Sequence, residues 1–372
     1  MIKILYVNGG PMNRGGIEAF MLNYLRHFDR NRIIVDFAVR GPEIGEFDKY
    51  LVEMGCKIYR LPMRSRHPLQ YQKQLKRILK ENKYDAIHSH VDAMNYWVLS
   101  IAKRCGVPVR ISHSHNTQHL TTNPIKYMIN EYARLSVNRV ATHRLACSEA
   151  AGRWLYGKND YKVVHNAIEY SKYRFSYDDR KKIRTEYSIS EDTILLGNVG
   201  RFDTQKNHVF LIRVLAELVK LNAKYKVMLV GDGWLRKEIE MEIMNNNLRD
   251  YVIFVGERDS AACFYSAFDI FVLPSLFEGL GFVLIEAQAN GLVCISSDGV
   301  PKESNVTGVN NVRYLPLKID EWVETILEMK VPERYISEQD IKARGYDIIE
   351  ESQKLENYYI SIINEVKSGN AK

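Results

Sequence analysis

Short runs of Ile, Val and Leu recur along the chain at intervals of roughly 25 residues, separated by helix-length stretches in which apolar and polar positions alternate with helical period. That alternation is the pattern of parallel β-α-β units. In the first half it predicts strands over residues 2–7, 33–39, 57–61, 85–89, 107–112 and 144–147. Strand character then fades, and the polar stretch 171–192, with Asp178-Asp179-Arg180-Lys181-Lys182 at its centre, reads as an interdomain link. The alternation restarts with strands over 193–199, 226–230, 252–255, 270–273 and 292–296 and helices over 207–222, 234–245 and 282–290. From Ile341 to Ile362 the apolar residues fall at helical spacing with no strand after them.

The expected architecture is therefore α/β, with two Rossmann-like doubly wound domains facing across a cleft. The boundaries are 1–170 for the first domain, 171–192 for the link and 193–335 for the second domain. Helices over 336–372 are expected to cross back onto the first domain. No internal repeat or low-complexity tract interrupts this plan.

Composition narrows the setting. The apolar stretch 269–286 is broken by Pro274 and Glu278, so no membrane span is expected. The first apolar run is too short for a secretory signal. Five scattered cysteines, Cys56, Cys105, Cys147, Cys263 and Cys294, fit no zinc or redox spacing and read as buried thiols of a cytoplasmic protein.

The net charge of +7 conceals two unlike halves. Residues 1–185 hold 32 Lys and Arg against 16 Asp and Glu, the remainder 20 against 29. A basic half of this kind faces a polyanion or is a solvated surface. No nucleic-acid module is present, and 68–80 reads as an amphipathic helix with a cationic face. The expected partner is thus an anionic membrane surface, not nucleic acid.

Ligands of doubly wound sheets bind beyond the carboxyl ends of the strands, so polar residues just after strands are the candidates. After the first strand, Gly15-Gly16 opens a helix whose N-terminus can approach phosphate. The G-x-G-x-x-G order of a nicotinamide-dependent oxidoreductase is absent there. After the fifth strand come His115 and Asn116, with His113 as support, and Asn166 follows near the end of the first domain. In the second domain Arg201 and Lys206 stand at a strand end, where two cations can hold a diphosphate. Glu278 lies on a loop before Gly279, Leu280, Gly281 and Phe282, whose N–H groups can cradle phosphate or sugar oxygens. Glu286, eight residues on, sits in an apolar helix, where burial demands hydrogen-bonding partners.

Gly15-Gly16, His115-Asn116, Arg201 with Lys206, Val230-Gly231-Asp232-Gly233 and above all Glu278-x7-Glu286 together resemble the retaining GT-B glycosyltransferases of family 4, also termed group 1. Cys147-Ser148-Glu149-Ala150-Ala151-Gly152 and Glu286-Ala287-Gln288-Ala289-Asn290-Gly291 are similar to the branch that builds bacterial capsular and exopolysaccharides.

The resemblance implies a nucleotide-sugar donor, UDP-linked in the commonest case, and a lipid-linked or oligosaccharide acceptor. Arg201 and Lys206 would grip the diphosphate, Glu286 the ribose and Glu278 a sugar hydroxyl, with His115 beside the reacting sugar. No cofactor or metal is implied, and no Asp-x-Asp triplet occurs. The implied location is cytoplasmic, peripheral on the inner face of the membrane. Gly281 departs from the family, whose members often carry Pro there. An epimerase, a phosphorylase or an inactive binding partner on the same fold remains an alternative.

Overall fold

Seven parallel strands form the sheet of the first of two units in the computed structural model, which describes residues 1–307, 311–330, 334 and 338–369. The strands are β1 (Ile2–Asn8), β2 (Ile33–Arg40), β3 (Ile58–Leu61), β4 (Ala86–His90), β5 (Val109–Ser114), β6 (His143–Ala146) and β7 (Lys162–Val163), in the order β3-β2-β1-β4-β5-β6-β7. Helices α1 (Gly16–His27), α2 (Asp48–Glu53), α3 (Pro68–Asn82), α4 (Asn95–Arg104), α5 (Pro124–Ser136) and α6 (Glu149–Tyr156) connect them. A strand covered on both faces is apolar throughout. In β1, Ile4 and Tyr6 join one core with Phe20, Phe37 and Ile111, while Leu5 and Val7 join the other with Leu75, Ile87 and Leu99.

The second unit, Ile168–Tyr346, repeats the design. Its helices are α7 (Tyr170–Tyr173), α8 (Tyr177–Glu186), α9 (His208–Leu221), α10 (Arg236–Asn245), α11 (Ala262–Ala267), α12 (Phe282–Ala289), α13 (Ile319–Glu328) and α14 (Glu338–Ala343). Its parallel strands are β8 (Ile194–Val199), β9 (Tyr225–Val230), β10 (Val252–Gly256), β11 (Ile270–Leu273), β12 (Val293–Ser297) and β13 (Val312–Leu315), in the order β10-β9-β8-β11-β12-β13. Leu196, Val227, Ile270 and Ile295 share one core with Trp322, and Leu195, Met228, Phe271 and Cys294 fill the other. Helix α15 (Ile348–Lys367) then belongs to the first unit. There its Glu356 accepts from Arg32 Nη1 at 2.6 Å and from the Asp29 N–H at 2.8 Å.

Two expectations are corrected. The stretch 171–192 is not a link. It completes α7, forms α8 and packs into the second unit, where two of its arginines are neutralised in place. Arg180 and Arg184 both pair with Asp269, at 2.8 and 3.2 Å, and Arg184 is 1% exposed. The chain leaves the first unit at Ala167 and returns at Asp347, so α14 belongs to the second unit, not to the segment expected to pack back. Residues 336, 337 and 370–372 of that expected segment lie outside the described residues.

Cys105 and Cys263 are partly exposed, while Cys56, Cys147 and Cys294 are buried as expected. Strands β7 and β13 were not anticipated, since one has two residues and the other carries an exposed Arg313. Among the described residues no helix is long and apolar enough to cross a membrane.

Candidate functional site

The order of strands reverses between β1 and β4 in one sheet and between β8 and β11 in the other, and the candidate side chains follow strands at or beside these switch points. In the second unit the turn after β8 carries Arg201 and Lys206. Asp203 organises it, accepting from Arg201 Nε at 3.0 Å and from the Lys206 backbone N–H at 3.1 Å. The loop after β9 closes against this turn through Gly231, held at φ +138°, where a Cβ would stand 2.1 Å from the Gly200 carbonyl oxygen. Only glycine permits both the conformation and the approach.

The loop after β11 brings Glu278 to Lys206. The ammonium donates to Oε1 at 2.6 Å, Ser275 Oγ donates to the same oxygen at 2.7 Å, and Gln205 Nε2 donates to Oε2 at 3.2 Å. Glu278 is 6% exposed, so this carboxylate is a buried charge with its donors in place. The Arg201 side chain is largely exposed and turns to Asp203.

Glu286 projects from α12, and its buried carboxyl accepts from Tyr265 at 2.6 Å and from Tyr173 at 2.9 Å. Burial pushes its pKa up to about 7, against the two hydroxyls and the nearby charge of Lys206. The sequence reading foresaw that Glu286 needs partners but not that tyrosines supply them. Tyr173 fell inside the supposed link, and nothing in the local pattern singles out Tyr265.

Between the two acids run Gly279, Leu280 and Gly281, all buried, and α12 starts at Phe282. Gly281 takes φ +84°, a conformation closed to proline, so the departure at this position sets the entry of α12.

In the first unit Gly15 caps α1 and Gly16 begins it. The Glu18 carboxylate folds back over Gly15 and accepts from Asn8 Nδ2 at 2.7 Å. Beyond β5, the His115 N–H donates to Asp92 Oδ1 and Asn116 Nδ2 donates to Asp92 Oδ2, both at 2.6 Å. His115 Nε2 lies 2.9 Å from His90 Nδ1. His113 lies within β5, with Nδ1 3.1 Å from His88 Nε2, and His88 Nδ1 meets the Tyr359 hydroxyl of α15 at 2.6 Å. Asn166 is buried, and among the described residues its Oδ1 has no partner.

Burial lowers all four imidazoles, His115 to about 3 and the others well below the usual histidine range, helped by their neighbours. They are neutral at pH 7. His88, His90 and Asp92 escaped the sequence reading. The signal was the two-residue period shared by His88/His90 and His113/His115 along, and just beyond, adjacent parallel strands.

One ring nitrogen from each of His88, His90 and His113 falls within 4.8 Å of the others, a donor set that suits a transition metal. His88 Nε2 and His113 Nδ1 face one another, and among the described residues His90 Nε2 and His113 Nε2 have no hydrogen-bond partner. A cavity of about 700 Å³ opens in the second unit beside Arg174, Asn290 and Arg334, and none of Arg201, Lys206, Glu278 or Glu286 lines it.

Residues 179–345 match the family described as glycosyl transferases group 1, and residues 14–172 match glycosyltransferase family 4. Over 371 residues the chain is 32% identical to the glycosyltransferase EpsF of Bacillus subtilis (strain 168), with 96% of each chain covered. The chain belongs to glycosyltransferase family 4.

The family 4 profile ends at Lys172 and the group 1 profile starts within α8, so both profiles fall close to the observed boundary of the units. The chain is also 22% identical over 306 residues to the UDP-Gal:alpha-D-GlcNAc-diphosphoundecaprenol alpha-1,3-galactosyltransferase of Escherichia coli, covering 78% of each. Its GT-B fold matches the crystal structure of Anabaena Alr3699/HepE in complex with UDP and glucose. The TM-score is 0.78 at 20% identity, covering 97% of this chain and all of that one.

Proposed function

We propose that this glycosyltransferase moves a sugar from a UDP-sugar, with retention at the anomeric carbon and without a metal, to a lipid-linked acceptor in bacterial surface polysaccharide synthesis. The observation that carries the reading is the cluster at the end of the second sheet. Lys206 binds Glu278, and its charge also reaches Glu286 on the next helix. In this reading Lys206 and Arg201 neutralise the diphosphate as it leaves, which is where charge builds up in an oxocarbenium-like transition state. Glu278 accepts from a hydroxyl of the transferred sugar, and Glu286 takes the ribose hydroxyls in place of, or beside, its tyrosines.

His115, kept neutral by burial, offers the sugar a hydrogen bond and no charge. The Escherichia coli relative's name supports both the uridine donor and the diphospholipid acceptor, and the HepE complexes support UDP-glucose as the kind of donor this fold holds.

A thermal-shift series over the nucleoside diphosphates tests the donor. A ligand of the native state raises its stability with ln(1 + [L]/Kd), so UDP should stabilise the chain more than its adenine and guanine counterparts. Equal shifts for all bases overturn the uridine reading. Retention is read from the anomeric configuration of the product by NMR, and metal independence from turnover in excess chelator.

A further inference from the structure

Helix α5 is amphipathic in reverse. Its buried residues are Ala133 and Ser136, whereas Ile125, Met128, Tyr132 and Leu135, spaced to form one stripe, are exposed by 70, 72, 53 and 63%. Glu131 and Arg134 point the other way: Arg134 donates to the Trp154 carbonyl at 2.6 Å, and Glu131 pairs with Arg134 and His119. The helix is firmly started, with Pro124 at its first turn and Asn123 Oδ1 accepting from the Lys126 N–H at 3.0 Å. An apolar stripe on a well-capped helix, turned out to water, is an interaction surface.

Charge indicates what covers it. Helix α4 touches both α3 and α5, and across these three helices Lys73, Arg77, Lys80, Lys103, Arg104 and Lys126 are exposed. Their only acids, Glu81 and Glu131, are each paired with an arginine. A second copy of this chain would bring these like charges together across a two-fold interface. An anionic lipid surface instead meets cations with phosphates and the stripe with acyl chains.

Resting on the proposed lipid-linked acceptor, we infer that α5 is the membrane-docking element, inserting the Ile125/Met128/Tyr132/Leu135 stripe into an anionic bilayer while the lysines and arginines of α3 and α4 hold the headgroups. The helix singled out by its sequence, α3, cannot insert, because its apolar residues Tyr71, Leu75, Ile78 and Leu79 already fill a core.

Sedimentation of the full chain with vesicles of phosphatidylcholine, alone or mixed with phosphatidylglycerol, tests this. The wild type should partition onto the anionic vesicles, and Met128→Ser with Leu135→Ser should lower that partition by about tenfold or more, the loss expected from two inserted apolar side chains. Lys73→Ser with Lys80→Ser should weaken binding at low salt only. Leu69→Ser, exposed on α3, should change nothing.

The inference is overturned if the wild type ignores anionic vesicles, if the stripe variant binds as the wild type does, or if light scattering shows a dimer that the stripe variant abolishes. A UDP thermal shift on the same preparations reports the donor site separately. Its absence would sink the donor reading and leave the vesicle result to decide α5, and equal shifts in both proteins would show the stripe variant folded.

Discussion

At the end of the first sheet four imidazoles, those of His88, His90, His113 and His115, crowd together and bond to one another. At the end of the second, Glu278 and Glu286 are held by a lysine and by the hydroxyls of a serine and two tyrosines. Both clusters stand where doubly wound sheets bind ligands, and burial drives the imidazoles and Glu286 towards neutrality, in opposite senses. The bases lose their proton and Glu286 tends to keep its own. One fold, used twice in one chain, thus ends in two chemistries, and side chains at strand ends decide which.

The widest separation between the two ends should come with acid. Each buried histidine is neutral when folded but takes a proton near pH 6.5 when unfolded, so its stabilisation is complete above that pH and is lost as the pH falls below it. Four such groups give a slope of roughly 5 kcal/mol per pH unit. Hydrogen exchange in β4 and β5 between pH 6.5 and 5 should show this loss, and His88→Gln should reduce the slope by about a quarter. A flat profile would mean the cluster is already protonated in the fold.

Next in size is the catalytic contrast. On the proposed roles, removing Lys206 and Arg201 together should slow transfer by about a thousandfold or more, as expected when fixed charge at a leaving group is lost. His115→Ala should slow it by about ten- to a hundredfold, because a neutral ring offers only a hydrogen bond. Steady-state turnover of both variants checks the order, and a reversal would place the dominant electrostatics in the first unit.

Glu286 gives a smaller effect of opposite sign to the histidines. Its pKa rises from 4.5 to about 7 on folding, so the protonated form favours the fold and stability drains away as the pH climbs through that window. Glu286→Gln, which mimics the neutral acid, should lack this component while keeping that of the histidines. The gap between variant and wild type should widen in favour of the variant by roughly 3 kcal/mol from pH 4.5 to above 7. Denaturation at both ends of the range measures it.

The strands around these clusters were legible because a parallel strand buried on both faces is a continuous apolar run, as in β1, β8 and β11. The carboxylates and Lys206 were legible because loops after such strands are where ligand chemistry sits. Partners brought by register were not. Tyr6 pairs with His88 across β1 and β4, and Tyr359 arrives from the far end of the chain, relations with no trace in local spacing. A polar run misled at 171–192, where Arg184 and Asp269 neutralise each other inside the unit. A helical period gives the width of an apolar face but not the direction in which that face points, so the outward stripe of α5 was not legible.

The finest test compares the two glycines that start helices at these ends. Gly15 is extended at φ −164°, and a Cβ there would stand 2.3 Å from Glu18 Oε2, the end of a side chain that can turn aside by giving up its bond to Asn8. Gly281 sits at φ +84°, and its Cβ would stand 3.1 Å from Val300 Cγ1. The backbone at the first is open to any residue, whereas at the second it favours glycine. Gly15→Ala should therefore leave stability within about 0.5 kcal/mol, whereas Gly281→Ala should cost about 1–2 kcal/mol through the left-handed backbone and the crowded valine. Gly281→Pro should cost more still, because the ring fixes φ near −65° and forces α12 to start elsewhere, carrying Glu286 with it. Chemical denaturation ranks the three, and UDP thermal shifts show whether only the second sheet's cluster is disturbed. A tolerated proline would mean that the loop between Glu278 and Glu286 can take a second path, and that the two sheet ends are equally plastic.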